Sequence, residues 1–201
     1  MSDYKKIAFF DFDGTITTKD SLLEIIKFQK GNLSFYLGFL WHAPWLIAYR
    51  LKIIPSDTAK QKILKYFFGG MKATDFQKTC DDFAASRLPG IVRGEALREI
   101  RKHQAAGVEV VIVSASACNW IRKWSEALSL ELVCTALEIS DGRITGRLMG
   151  RNCHGEEKVR RIRERWNLDE FEEIYAYGDT EGDKPMLALA TQSYYKPFRN
   201  P

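Results

Sequence analysis

The sequence predicts an α/β protein: a parallel sheet flanked by helices, with an all-helical block inserted after the first strand. Three observations predict it. Short apolar runs at Lys6–Phe10, Val108–Val113 and Glu173–Tyr177 are separated by helical periodicities, the alternation that a parallel sheet requires. Val108–Val113 is a β-branched run, typical of a strand buried on both faces. Between about Thr17 and Leu88 the periodic segments are all helical, with no strand signal. A length of 201 residues allows one large domain, or one domain with an insert. Residues 1–16 and 89–201 are therefore expected to form the α/β core, and residues 17–88 a helical cap.

Each element has its own reason. Lys6–Phe10 is apolar and ends at Asp11, as a buried strand would. Ser21–Gln29 sets Leu22, Ile25, Ile26 and Gln29 at helical spacing. Gly31–Tyr49 then carries no formal charge and includes Leu33, Tyr36, Leu40, Trp41 and Trp45. Its length approaches the roughly 20 residues that span a bilayer. Asn32, Ser34, His42 and Pro44 interrupt it, and Pro44 lacks a backbone donor, so a break or kink is expected near its middle. A spanning helix, an interfacial helix and an ordinary buried helix all remain open for this stretch. Pro55-Ser56-Asp57 opens the next helix, with Ser56 or Asp57 expected as its N-cap and Ile63, Leu64, Phe67 and Phe68 on its apolar face. Gly69-Gly70 ends it. Thr74 begins another helix through Phe76, Cys80, Phe83 and Ala84, which stops before Pro89-Gly90.

Beyond this point strands return. Glu95–Ala105 is a helix closed by Gly107. Asn119–Leu128 follows the Val108–Val113 strand as a helix. Leu132–Ile139 and Arg143–Leu148 flank Asp141-Gly142, the turn signal of a hairpin. Glu156–Trp166 and Lys184–Ala190 read as helices, and Ser193–Tyr195 as a last strand.

Composition narrows the function. Apolar residues make 45% of the chain and charged residues 28%, so disordered and collagenous classes are excluded. A net charge of +4 spread over the whole chain gives no nucleic-acid footprint, and only modestly favours anionic substrates. Cys80, Cys118, Cys134 and Cys153 form no C-x-x-C pair and have no histidine at zinc-ligand spacing. They are expected to be free, small buried hydrophobes. The start at Met1 runs directly into Ile7–Phe10, too short for a signal-peptide core. A reduced, cytoplasmic protein is expected, with peripheral membrane contact open through Gly31–Tyr49. The oligomeric state is left open.

Four features carry chemistry. Asp11-Phe12-Asp13-Gly14-Thr15 follows the first strand directly, at the sheet edge where open α/β folds bind ligands. Two carboxylates two residues apart can flank one ion or phosphate, and Gly14 permits a tight turn. Gly178-Asp179-Thr180-Glu181-Gly182-Asp183 follows another strand and brings Asp179 to the same edge. Asp11, Asp13, Asp179 and Asp183 together would crowd negative charge, which raises carboxylate pKa values unless a cation compensates. Magnesium, a hard ion held by carboxylates, water and phosphate, is the natural one. Lys158 lies in the first turn of its helix, a poor place for a cation unless anions lie opposite. Ser114 follows its strand at a helix entrance, where its hydroxyl and the following amides, that of Ala115 first, make an oxyanion or phosphate cradle.

The order strand–Asp, strand–Ser, helix–Lys, strand–Asp resembles the haloacid dehalogenase superfamily of phosphatases over nearly the whole chain. The helical insert resembles the cap of its phosphoserine-phosphatase-like branch. That resemblance implies a Rossmann-like parallel core and a set of roles. Asp11 would be the nucleophile that takes the phosphoryl group, and Asp13 the acid and then the base. Magnesium would bind Asp11, the Asp13 main-chain carbonyl and Asp179. Lys158 would neutralise the phosphoryl oxygens, Ser114, Ala115 and Gly14 would hold the substrate, and Asp183 would orient Lys158 or metal-bound water. An aspartate at position 13 favours phosphate esters over haloacids.

The substrate is less legible. In phosphoserine phosphatases an acid just past the first motif binds the substrate amine, and Asp20 stands about there. Arg50 and Arg87 are the candidate partners for a carboxylate. Gly182 replaces an asparagine frequent in that branch. The uncharged Gly31–Tyr49 stretch and the Cys153–Lys158 run resemble instead lipid-phosphate phosphatases such as phosphatidylglycerophosphatase C. The reading is a magnesium-dependent phosphomonoesterase for a small or amphiphilic phosphate ester. Phosphoserine phosphatase, phosphotransferase and a non-catalytic phosphate- or lipid-binding module are the alternatives.

Overall fold

The computed structural model describes residues 5–51 and 53–199, the side chains of Leu46 and Tyr49 excepted. Those two side chains of the uncharged stretch, and the first four residues of the chain start, lie outside the described residues.

β1 (Lys5–Phe10), β2 (Glu109–Ala117), β3 (Glu131–Thr135), β6 (Phe171–Gly178) and β7 (Gln192–Tyr195) form one sheet in the order β3-β2-β1-β6-β7. Every pairing in it is parallel. Alternation along β1 explains the two-sided core. Ala8 and Phe10 pack on one face with Val110, Ile112 and Tyr177, while Ile7 and Phe9 pack on the other with Val111, Val113 and Ile174. Phe10 stands opposite both Ile112 and Tyr177 in register. Asp11 therefore leaves the central strand between the carboxyl ends of two neighbours.

Between β1 and β2 run α1 (Ser21–Arg50), α2 (Ser56–Phe68), α3 (Ala73–Ser86) and α4 (Gly94–Ala105). The break in α1 falls at Gly31, with φ +76°, and not at Pro44 as its missing donor suggested. Glycine takes that angle freely, and it re-aims the uncharged half of the helix. α2 starts after Pro55, with Ser56 and Asp57 in its first turn; neither caps it. Ile63, Leu64, Phe67 and Phe68 are buried, as the periodicity requires. The two connections to the helical block run side by side: Thr18 N–H donates to Ile91 O and Arg93 N–H to Ile16 O, both at 2.8 Å.

α5 (Cys118–Ala127) and α6 (Glu156–Arg165) cover the sheet, and α7 is the short Lys184–Leu187 turn, less than the expected Lys184–Ala190. The expected strand Leu132–Ile139 is two strands. β3 joins the main sheet, and β4 (Leu137–Ser140) forms a hairpin with β5 (Arg143–Leu148) through Asp141 and Gly142, both at positive φ. That hairpin leans on the helical block: Gly70 N–H donates to Ile144 O, and Leu148 N–H to the Gln61 side chain. Cys118 and Cys134 form a disulfide across the β2–β3 edge, which corrects the expectation of four free thiols. The register shift between β2 and β3, from Ser114 opposite Cys134 to Ala117 opposite Thr135, brings them together. Cys80 and Cys153 are free and buried. Among the described residues, no helix is long and apolar enough to cross a membrane.

Candidate active site

Lys158 organises the sheet edge. It is buried at the start of α6, and its Nζ donates to Asp11 Oδ1 at 2.6 Å, Asp183 Oδ1 at 2.7 Å and Val113 O at 2.8 Å. All three ammonium protons are thus engaged. Burial works against its charge, but Asp11 and Asp183 outweigh it and keep the amine protonated above its ordinary range. Burial pushes Asp11 up to about 7, against the pull of Lys158.

The 178–183 loop is held by its own polar groups. Asp183 Oδ2 accepts from Asp179 N–H, Thr180 N–H and the Thr180 hydroxyl at 2.7–3.1 Å. Burial alone would raise Asp183, yet Lys158 and Thr180 hold it below the usual carboxylate range. Asp179 points back across the edge, where its Oδ1 accepts from the Thr15 hydroxyl at 3.2 Å and its Oδ2 from Arg199 at 2.5 Å. Burial and the Asp183 charge both raise its pKa. Gly14, at φ +85°, passes directly over the Asp179 carboxylate.

Asp13 is held apart from Lys158. Its Oδ1 accepts from Ser21 N–H at 2.7 Å and its Oδ2 from the Ser116 hydroxyl at 2.5 Å. Ser116 and Ser21 share a hydrogen bond of 3.0 Å, and Trp120 Nε1 donates to Ser21 Oγ at 2.9 Å. Burial raises Asp13 to about 6, Asp20 adds to this, and Ser116 and Ser21 oppose it. A carboxyl near that value can both give and take a proton close to neutral pH.

One cavity of about 870 Å³ reaches Asp11, Asp13, Lys158 and Asp183, while Gly14 and Asp179 lie behind that edge and do not line it. Asp11, Asp13, Ser114, Ala115, Lys158 and Asp183 form its polar floor. Leu22, Leu23, Phe39, Ala59 and Ile63 give it an apolar wall from α1 and α2. Ser114 Oγ accepts from Ser116 N–H at 3.0 Å and shapes the turn after the regular part of β2. Asp20 lines the mouth, while its Oδ1 caps α1 through Leu23 N–H.

The structure also brings in residues that the sequence did not single out. Lys60 reaches from α2 into the cavity and donates to Ala115 O and Asn152 Oδ1 at 2.5 and 3.0 Å. Burial pulls its pKa down to about 8. Its signal was available, because Lys60 lies at helical spacing from Ile63, Leu64 and Phe67 and so puts a cation on a buried stripe. Arg50 and Arg87, the expected carboxylate partners, do not line the cavity; Arg87 lies 3.5 Å from Glu24 instead. Ser21, Ser116 and Trp120 left no motif, since their meeting depends on the fold.

A divalent cation fits this donor set. Carboxylate oxygens of Asp11, Asp179 and Asp183 lie within 4.8 Å of one another. All three residues are buried, with Lys158 as the buried counter-charge and Arg199 at the rim. Hard oxygen donors and surplus negative charge suit magnesium.

The family model for haloacid dehalogenase-like hydrolases matches residues 8–188. The chain is 37% identical over 194 residues to protein CicA of Caulobacter vibrioides, covering 94% of this chain and 85% of that one. It is similar in fold to a protein of unknown function from Bordetella pertussis, with a TM-score of 0.83 at 22% identity, over 94% of this chain and 89% of the other. A substrate-bound phosphoserine phosphatase superposes with a TM-score of 0.65 at 19% identity, over 96% and 87% of the two chains.

Proposed function

The chain belongs to the haloacid dehalogenase-like hydrolases, and from that premise we propose a magnesium-dependent phosphatase that works through an aspartyl-phosphate on Asp11. One observation carries the proposal: Lys158 bridges Asp11 and Asp183 in a buried cluster with Asp179, at the carboxyl edge of a parallel sheet. Asp11 Oδ attacks phosphorus, the bond to the ester oxygen breaks, and Asp13 gives that oxygen its proton. Asp13 then takes a proton from water as the water attacks phosphorus, which frees Asp11 and inorganic phosphate. Lys158, the Ser114 hydroxyl and the Ala115 amide hold the phosphoryl oxygens through both steps. Asp11, Asp179 and the Asp13 main-chain carbonyl would hold magnesium, whose charge offsets the crowded carboxylates and the phosphate. Asp183 keeps Lys158 in place.

The cavity supports an ester with an apolar portion. A substrate whose phosphate reaches Lys158 has its remaining atoms against Leu22, Leu23, Phe39 and Ile63. The helices of residues 17–88 act as a cap over it, hinged at Thr17–Lys19 and Leu88–Gly90, and exclude water in the first step. Phosphoserine is the second reading. It is favoured by Lys60 and Asp20 lining one cavity, a cation for a carboxylate and an acid for an amine.

Turnover of a panel of lysophosphatidic acid, phosphatidylglycerophosphate and phosphoserine, with magnesium and with chelator, tests both readings. Chelator-sensitive release of phosphate from the amphiphiles is expected. Turnover of phosphoserine alone would sink the amphiphile reading. Activity and beryllofluoride trapping retained in Asp11→Asn would sink the nucleophile.

A further inference from the structure

The face of α1 turned away from the cavity is apolar, aromatic and bare. Trp41, Leu33 and Leu40 are 77%, 74% and 72% exposed. Tyr36, Leu37 and Ile47 continue the row, also exposed, at the three- and four-residue spacing of one helix face. The opposite face carries Phe35 and Phe39, and Phe39 stacks on Phe67 of α2. α1 is therefore apolar on two sides and covered on one. A contiguous exposed surface of this kind marks a contact site.

Charge selects the partner. Lys30 and Arg50 are exposed at the two ends of the row. Lys65 is exposed beside Tyr66, which meets Leu37, Leu40 and Trp41 in a shallow hollow. Lys62 Nζ stands 3.7 Å from the Trp45 ring centre. From residue 27 to residue 66 the sequence holds seven lysines and arginines against one acid, Asp57. Lys60 turns into the cavity and Lys27 pairs with Glu24, so among the described residues Lys30, Arg50, Lys62 and Lys65 are the cations set around the strip. The chain's net charge is +4, so the remainder is slightly acidic and the basic excess belongs to this segment. Tryptophan and tyrosine favour the bilayer interface, and lysine and arginine around an apolar strip favour anionic headgroups. A second copy fits the face less well, because a two-fold contact sets the same patch against itself and brings two cationic rims together.

We propose that this face of α1 and α2 seats the protein on the surface of a membrane carrying anionic lipid. Cavity-lining Phe39 and outward-facing Leu40 are successive residues, so the docked helix sets the cavity within one helix diameter, about 10 Å, of the lipid. The inference rests on the amphiphilic-ester reading for its purpose and on the surface alone for its test.

The test is co-sedimentation with vesicles of phosphatidylcholine alone, and of phosphatidylcholine mixed equally with phosphatidylserine. The expected result is binding to the mixed vesicles only, weakened by salt. Leu40→Glu combined with Trp41→Glu should weaken it at least about tenfold, while p-nitrophenyl phosphate is turned over at the wild-type rate. Wild-type protein that ignores mixed vesicles, or a double variant that binds as well as wild type, would overturn the proposal. So would a solution dimer, seen by sedimentation equilibrium, that the double variant dissolves. Vesicle binding without turnover of any phosphate ester would sink the phosphatase reading and leave the docking face standing.

Discussion

A Cβ on Gly14 would stand 2.5 Å from Oδ2 of Asp179, closer than real Cβ contacts come. The two residues come from different strand ends, and the contact sets how tightly the edge closes. Gly14→Ala must therefore displace the Asp179 carboxylate, and it also places a side chain at φ +85°. We expect kcat/KM to fall about a hundredfold or more, as misplacement by an ångström does. Magnesium affinity, read by calorimetry, should fall with it. Wild-type affinity in the variant would refute the packing account.

Lys158→Met leaves Asp11 and Asp183 buried without their counter-ion. Breaking a buried pair from one side typically costs about 3–5 kcal/mol. Urea unfolding without metal should show the loss, and phosphatase activity should disappear. Asp11→Asn should also abolish activity while keeping most of the stability, since an amide still accepts from Lys158. Equal stability loss in both variants would count against this assignment.

In the proposed mechanism Asp13 carries a proton to the leaving oxygen, so kcat/KM should decline as pH rises through its pKa of about 6. The Ser116 hydroxyl favours the charged carboxylate. Ser116→Ala removes that bond, and the alkaline limb should move to higher pH by about half a unit to one unit. A limb that moves to lower pH, or stays in place, would show that Asp13 is not the acid.

Arg199 pairs with Asp179 and, in the proposed site, would compete with magnesium for that carboxylate. The guanidinium is partly exposed, with 42% of its side chain accessible, so the pair is solvent-screened and worth at most about 1 kcal/mol. Arg199→Ala should tighten magnesium binding by up to about fivefold, measured by calorimetry. Weaker binding would mean that Arg199 helps to build the site.

Alkylation of denatured, unreduced protein should label Cys80 and Cys153 and spare Cys118 and Cys134. The loop between the paired cysteines spans 16 residues, for which chain entropy gives about 3 kcal/mol. Reduction should lower the unfolding midpoint accordingly. Four labelled cysteines without reductant would contradict the pairing.

The sequence was readable wherever chemistry and local pattern coincide. Asp11, Asp13, Asp179 and Asp183 sit in short strings behind strands, and the parallel sheet follows from its apolar runs. Lys158 was readable because a cation in the first turn of a helix needs a reason. The Ser21–Ser116–Asp13 contacts were not, because common hydroxyl residues some ninety positions apart (95 between the two serines) carry no pattern until the chain folds. The split between β3 and β4 was hidden by continuous hydrophobicity across Ala136. The break at Gly31 was masked by Pro44, the stronger punctuation on paper, although a proline-containing helix remained regular there.

The adjacency of Thr18 and Ile91 has an evolutionary consequence. The chain departs from the sheet and comes back to it at neighbouring points, so the excursion behaves as a cassette. Its length and surface can be rewritten without re-threading a strand. On the proposed phosphatase reading, selection for what is recognised and selection for how the bond is cut would act largely on separate stretches of one gene, joined where Ser21 holds Asp13.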